Sequence, residues 1–88
     1  MDINLTKRYL RVLERFVKNN QRNVENIKKA LNLFKENPKH HSLNLEKLKS
    51  SRIWTIRIDR GNRIFFSWIN KTTALFIDIG KHDKYRKY

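Results

Sequence analysis

The chain has 88 residues, no cysteine, and 21 Lys+Arg against 8 Asp+Glu, for a formal net charge of +13 at neutral pH. That length predicts one domain over residues 1–88, burying about 60–65% of the surface of its unfolded chain, and the lack of cysteine excludes disulfide staples and thiolate metal sites. No apolar run approaches the roughly 20 residues of a membrane helix, and the charged opening holds no signal-peptide core, so a cytoplasmic protein without membrane association is expected.

Asp2–Leu5 places Ile3 and Leu5 in alternation and reads as an edge strand or as the lead into a helix, with Thr6 as N-cap. From Lys7 to about Lys18, Tyr9, Leu13, Phe16 and Val17 share one helical face. Asn19-Asn20-Gln21 breaks that helix. A second runs from about Asn23 to Glu36, with Val24, Ile27, Leu31 and Phe34 on one stripe that Ala30 and Leu33 widen. Asn37-Pro38 ends it, because proline cannot continue the hydrogen-bond ladder and disfavours helix in the residue before it.

The segment Pro38–Ser51 reads as a loop anchored by Leu43, Leu45 and Leu48. His40 and His41 are adjacent, so they do not share a face, and no cysteine or carboxylate stands at ligand spacing from them. They read as solvated loop residues, and neither a metal nor another cofactor is expected.

Three runs rich in β-branched and aromatic residues follow, separated by Asp59-Arg60-Gly61-Asn62 and Asn70-Lys71-Thr72, which is the pattern of an antiparallel meander. Alternation predicts that Trp54, Ile56 and Ile58, then Ile64, Phe66 and Trp68, then Leu75, Ile77 and Ile79 face the helices. The opposite face then carries Thr55, Arg57, Arg63, Phe65, Ser67, Ala74, Phe76 and Asp78. The fold class is α+β: two N-terminal helices packed on one face of a small antiparallel sheet.

Guanidinium groups interleaved with phenylalanines on an uncovered sheet suit a nucleic acid: arginine binds phosphate bidentately, and rings stack on splayed bases. The net charge points the same way, to nucleic acid or to an acidic protein that covers a nucleic-acid face. The tail Gly80-Lys81-His82-Asp83-Lys84-Tyr85-Arg86-Lys87-Tyr88 adds an imidazole, phenols and further cations. Cleavage of a phosphodiester by its own 2′-hydroxyl needs a base, an acid and cations on the pentacovalent phosphate. His82, Tyr85 or Lys81 could serve the proton transfers and Arg57 and Arg63 the charge, with no metal required. Thr55, Phe65, Phe76, Lys81, Lys84 and Arg86 are expected to contact the nucleic acid.

Leu45-Glu46-Lys47-Leu48, Ile53-Trp54-Thr55-Ile56-Arg57-Ile58, Gly61-Asn62-Arg63-Ile64-Phe65-Phe66 and Ile79-Gly80-Lys81-His82-Asp83-Lys84-Tyr85, in this order, resemble the RelE/ParE superfamily of small bacterial toxins along nearly the whole chain. The resemblance implies a RelE-like fold and a labile acidic antitoxin as partner. Its ribonuclease branch, of the RelE, HigB and YoeB type, cuts messenger RNA in the ribosomal decoding site. In that light Arg63 matches the arginine that binds the scissile phosphate, and Arg57 a strand cation. His82 falls at a catalytic arginine or histidine, and Tyr85 near the closing aromatic. Thr55 departs from the lysine some members carry there. The alternatives are a ParE-type inhibitor of DNA gyrase with the same fold and a non-catalytic nucleic-acid-binding module.

Overall fold

The computed structural model describes residues 1–81. In chain order these form strand β1 (Asp2–Leu5), helices α1 (Lys7–Val17) and α2 (Gln21–Glu36), a single 3-10 turn (His41–Leu43), and strands β2 (Glu46–Lys47), β3 (Trp54–Arg57), β4 (Asn62–Asn70) and β5 (Thr73–Lys81). The sheet order is β1-β5-β4-β3-β2. All neighbours are antiparallel except β1, which runs parallel to β5. Of the two readings of Asp2–Leu5, the edge strand is the one found.

Thr6 joins the first strand to the first helix. Its hydroxyl oxygen accepts from the Tyr9 amide at 3.1 Å, capping α1, and the same hydroxyl donates to the Phe76 carbonyl at 2.8 Å. The helix is therefore fixed to β5 where it starts. Asn19 takes a left-handed conformation (φ 52°) between the helices, which asparagine tolerates better than most residues. Asn20 then caps α2 through the Asn23 amide, and the Asn23 side chain donates back to the Phe16 carbonyl at 2.7 Å. The helix ends at Glu36, before Asn37-Pro38, as proline requires.

Both helices lie on one face of the sheet, where Tyr9, Ile27, Ala30 and Phe34 meet Ile56, Ile64, Phe66, Ala74, Phe76 and Ile79. Phe34 is the hub. Its ring sits edge-on to Phe66 (5.2 Å) and Phe76 (5.6 Å) and is stacked on Trp68 (5.8 Å). Such aromatic pairs contribute about 0.5–1.5 kcal/mol each beyond the area they bury.

The β4–β5 register slips twice, at Ile69 near the turn and at Ile77 within β5. In β5 the partner of Phe65 is Asp78, but the partner of the next residue, Phe66, is Phe76. Ile77 is skipped as a bulge, and a bulge shifts the two-residue phase of everything beyond it. Ala74 and Phe76, expected on the uncovered face, are therefore turned into the core and fully buried, whereas Ile77, expected in the core, is only partly buried. Ile79, on the other side of the bulge from Phe76, keeps the expected phase and faces the helices. Among the described residues, no helix is long and apolar enough to cross a membrane.

Candidate functional site

On the face turned away from the helices, strand register sets Thr55 beside Phe65 and Asp78, and Arg57 beside Arg63. Two arginines directly opposite on neighbouring strands repel each other, so this pairing opposes folding rather than helping it. Arg57 is exposed, whereas Arg63 retains only 8% of its accessibility. Burial pulls the Arg63 guanidinium below its ordinary pKa; Glu46 pushes it back up and Arg57 pushes it further down.

Arg63 is held from one side. Its Nη1 donates to the Thr55 hydroxyl at 3.0 Å and to the Asn44 carbonyl at 3.4 Å, and lies 3.4 Å from a carboxylate oxygen of Glu46. Its Nε and Nη2 donate to none of the described residues. A planar guanidinium fixed through one nitrogen, with its remaining N–H groups uncommitted among the described residues, is set to take a tetrahedral oxyanion through two parallel hydrogen bonds.

Three local features produce this clamp. Asn44 closes the 3-10 turn in the left-handed region (φ 47°), which presents its carbonyl to Arg63. Leu43 and Leu48, both buried, bracket β2 and seat its two residues against β3, so that Glu46 pairs with Thr55. A tight return at Ser50 (φ 62°), with the Leu48 amide donating to the Ile53 carbonyl at 2.8 Å, brings the chain straight back into β3. The Glu46 side chain remains 47% exposed, so its carboxylate is open to solvent as well as to Arg63.

Sequence reasoning did not find Glu46. The residue sits in a two-residue strand with both side chains exposed, which leaves no alternation to read. The usable signal was Leu43-x-Leu45-Glu46-x-Leu48, an acidic residue framed by three leucines in an otherwise basic loop. His40 and His41, expected as solvated loop residues, stack on each other at 4.7 Å, and the His40 Nδ1 accepts from the Ser42 amide at 3.2 Å.

The expected site residues divide as follows. Arg57, Arg63 and Thr55 come together, and Thr55, buried, serves as the acceptor that orients Arg63. Phe65 lies on the expected face but is fully buried on the central strand between Thr55 and Asp78, so its ring is no exposed stacking platform. Phe76, expected to contact nucleic acid, is instead fully buried in the core, edge-on to Tyr9 and Phe34. Asp78 is fully buried and accepts from Arg8 of α1 at 3.0 and 3.2 Å and from the Ile79 amide at 2.8 Å. Lys81 is exposed at the end of β5, in register with Asn62 rather than with the arginine pair. His82, Lys84, Tyr85 and Arg86 lie outside the described residues.

No protein-family model matches the chain. No curated protein matches it either. Solved structures do. A YoeB/ParE toxin from Agrobacterium tumefaciens superposes with a TM-score of 0.76 at 21% identity, over 93% of this chain and 99% of that one. A YoeB-YefM complex from Staphylococcus aureus gives 0.73 at 20% identity, over 93% and 97%. The E. coli DinJ-YafQ complex gives 0.73 at 13% identity, over 94% of each chain. At these identities the likeness is one of fold: two helices on a five-stranded, mostly antiparallel sheet.

Proposed function

We propose that the protein is the toxin of a type II toxin-antitoxin pair, a ribosome-dependent endoribonuclease that cuts messenger RNA through its own 2′-hydroxyl. The observation that carries this reading is Arg63, a buried guanidinium anchored through Nη1 with its other N–H groups uncommitted among the described residues, beside a second arginine and an accessible carboxylate. A sheet built for stability alone has no use for a repelling arginine pair at that place.

In this reading Arg63 grips the scissile phosphate and Arg57 adds charge as the pentacovalent phosphorane forms. The Glu46 carboxylate takes the 2′-hydroxyl proton while the 2′-oxygen bonds to phosphorus. The bond from phosphorus to the 5′-oxygen breaks, and His82 or Tyr85 gives that oxygen its proton. The products are a 2′,3′-cyclic phosphate and a free 5′-hydroxyl. Arg63 remains cationic at neutral pH despite the downward pull of its surroundings, as a guanidinium does in proteins.

The partner is an acidic antitoxin, drawn by charge to a chain of net charge +13; the YoeB and YafQ neighbours were themselves solved in complexes with YefM and DinJ. The site of action is the cytoplasm, where messenger RNA is translated. Lys81, Lys84 and Arg86 would hold flanking RNA.

Primer extension on transcripts from cells expressing the protein tests this directly. New ends inside translated regions are the expected result. Intact transcripts with blocked supercoiling would assign the fold to gyrase inhibition, and intact transcripts with RNA binding alone would leave a non-catalytic binding module.

A further inference from the structure

The two tryptophans of the chain line one groove, on the side of the sheet opposite to Arg63. The groove has a volume of about 670 Å³, with Met1, Pro38, Leu45, Trp54 and Trp68 forming its apolar walls and Lys39 and Lys71 standing at its rim. Both lysines are exposed. Lys47, in register with Trp54 and so on the same face, adds a third cation at the sheet edge. No carboxylate lines the groove among the described residues.

From this geometry we infer that the groove docks an acidic segment of a protein partner, one with aliphatic side chains spaced along one face and glutamates or aspartates flanking them. This extends the antitoxin reading above and rests on it for the identity of the partner, though not for the groove itself. The volume falls within the range of about 300–1,000 Å³ typical of ligand-binding pockets, and its walls offer apolar contact with few hydrogen-bonding groups. A second copy of the chain would bring another +13 of charge against the same lysines. Single-stranded nucleic acid fits less well than an acidic segment. One face of Trp68 is already stacked on Phe34 and its edge meets Phe66 at 5.3 Å. Of the remaining walls only Trp54 is aromatic, so at most one open ring is offered to a base, and the rim cations are lysines rather than the planar forks that grip phosphates in pairs.

The position of the groove has a consequence for inhibition. Because it lies across the sheet from the arginine pair, a segment anchored there leaves the RNA-facing side free for a second segment of the same partner. Joining two modest contacts by a linker raises overall affinity well beyond either one.

Since both indoles line the groove, their emission reports on it. The test is a fluorescence titration of the full chain with a synthetic 16-residue peptide carrying leucines at i, i+3, i+4 and i+7 spacing and glutamates elsewhere. The expected result is a saturable shift of emission to shorter wavelength. A peptide with alanine for leucine should give no shift. The double reversal Lys39→Glu/Lys71→Glu should weaken binding at least tenfold, whereas Arg15→Glu/Lys28→Glu, an equal change of charge on the helices, should leave it within about threefold.

Absence of binding, binding without an emission change, or equal weakening by both reversals would overturn the proposal. So would an oligouridylate that shifts the emission when the peptide does not. None of these readouts depends on RNA cleavage. A chain that cut no RNA but bound the peptide in the groove would contradict the proposed function alone.

Discussion

Arg63 on β4 reaches past Thr55 on β3 to meet Glu46 on β2 at 3.4 Å. Three adjacent strands thus each place one residue at a single point on the face away from the helices. In the proposed function that arrangement gives Glu46 and Arg63 separable jobs, the first in proton transfer and the second in holding charge.

Glu46→Gln keeps the size of the side chain and removes the proposed base. RNA cleavage should fall by about 10²–10⁴, the usual contribution of a positioned general base, while RNA affinity stays near that of the wild type. Stability should change by less than about 1 kcal/mol, because the carboxylate is half-exposed and such pairs contribute little. Urea unfolding together with cleavage assays checks both halves.

In the proposed function Thr55 acts by positioning Arg63. Thr55→Val removes the hydroxyl that accepts from Nη1 at 3.0 Å and should lower stability by about 1–3 kcal/mol, since it weakens the satisfaction of a buried charged donor. Cleavage should drop as well and return with Thr55→Ser. A merely structural role would give lost stability without that recovery of rate.

Phe76 tests the displaced phase of β5. Its ring is fully buried against Tyr9 and Phe34, so Phe76→Ala should destabilise the fold by about 3–5 kcal/mol. Any RNA binding measured on the folded fraction should be unchanged. A stable Phe76→Ala protein with weakened RNA affinity would restore the ring to the uncovered face.

Tyr9 is buried, its hydroxyl has no hydrogen-bond partner among the described residues, and desolvation raises its pKa from 10.0 to about 12. The folded state therefore holds the phenolic proton more tightly than the unfolded chain does. The associated stability is fully present below pH 10 and is lost as pH rises from 10 towards 12, by about 2–3 kcal/mol. Tyr9→Phe should remove that dependence at little cost near neutral pH, where no hydrogen bond is given up. Thermal unfolding of both forms between pH 8 and 11 is the check.

The helices were legible because their apolar residues repeat at the helical period and because Thr6, Asn20 and Pro38 punctuate them. The meander was legible from its alternation and its two polar turns. Alternation is a local rule, however, and the bulge at Ile77 changed its phase with no glycine or proline to announce it, which moved Phe76 from the expected site into the core. Arg57 and Arg63 were legible because they lie on β3 and β4 with no bulge between them. Glu46 was not, because a two-residue strand carries no periodicity and its place depends on Leu43 and Leu48 being buried at either side. Phe65 was assigned to the correct face but not to its burial, which depends on neighbours that alternation does not specify.

The central claim is that the Arg63 guanidinium grips the phosphate being cut. Cleavage of messenger RNA on programmed ribosomes, measured with wild-type protein and with Arg63→Ala of equal folded content by circular dichroism, tests it most directly. Loss of about 10²–10³ in rate is predicted, the effect of deleting one donor to a developing oxyanion. A folded Arg63→Ala protein that cuts within threefold of the wild-type rate would contradict it.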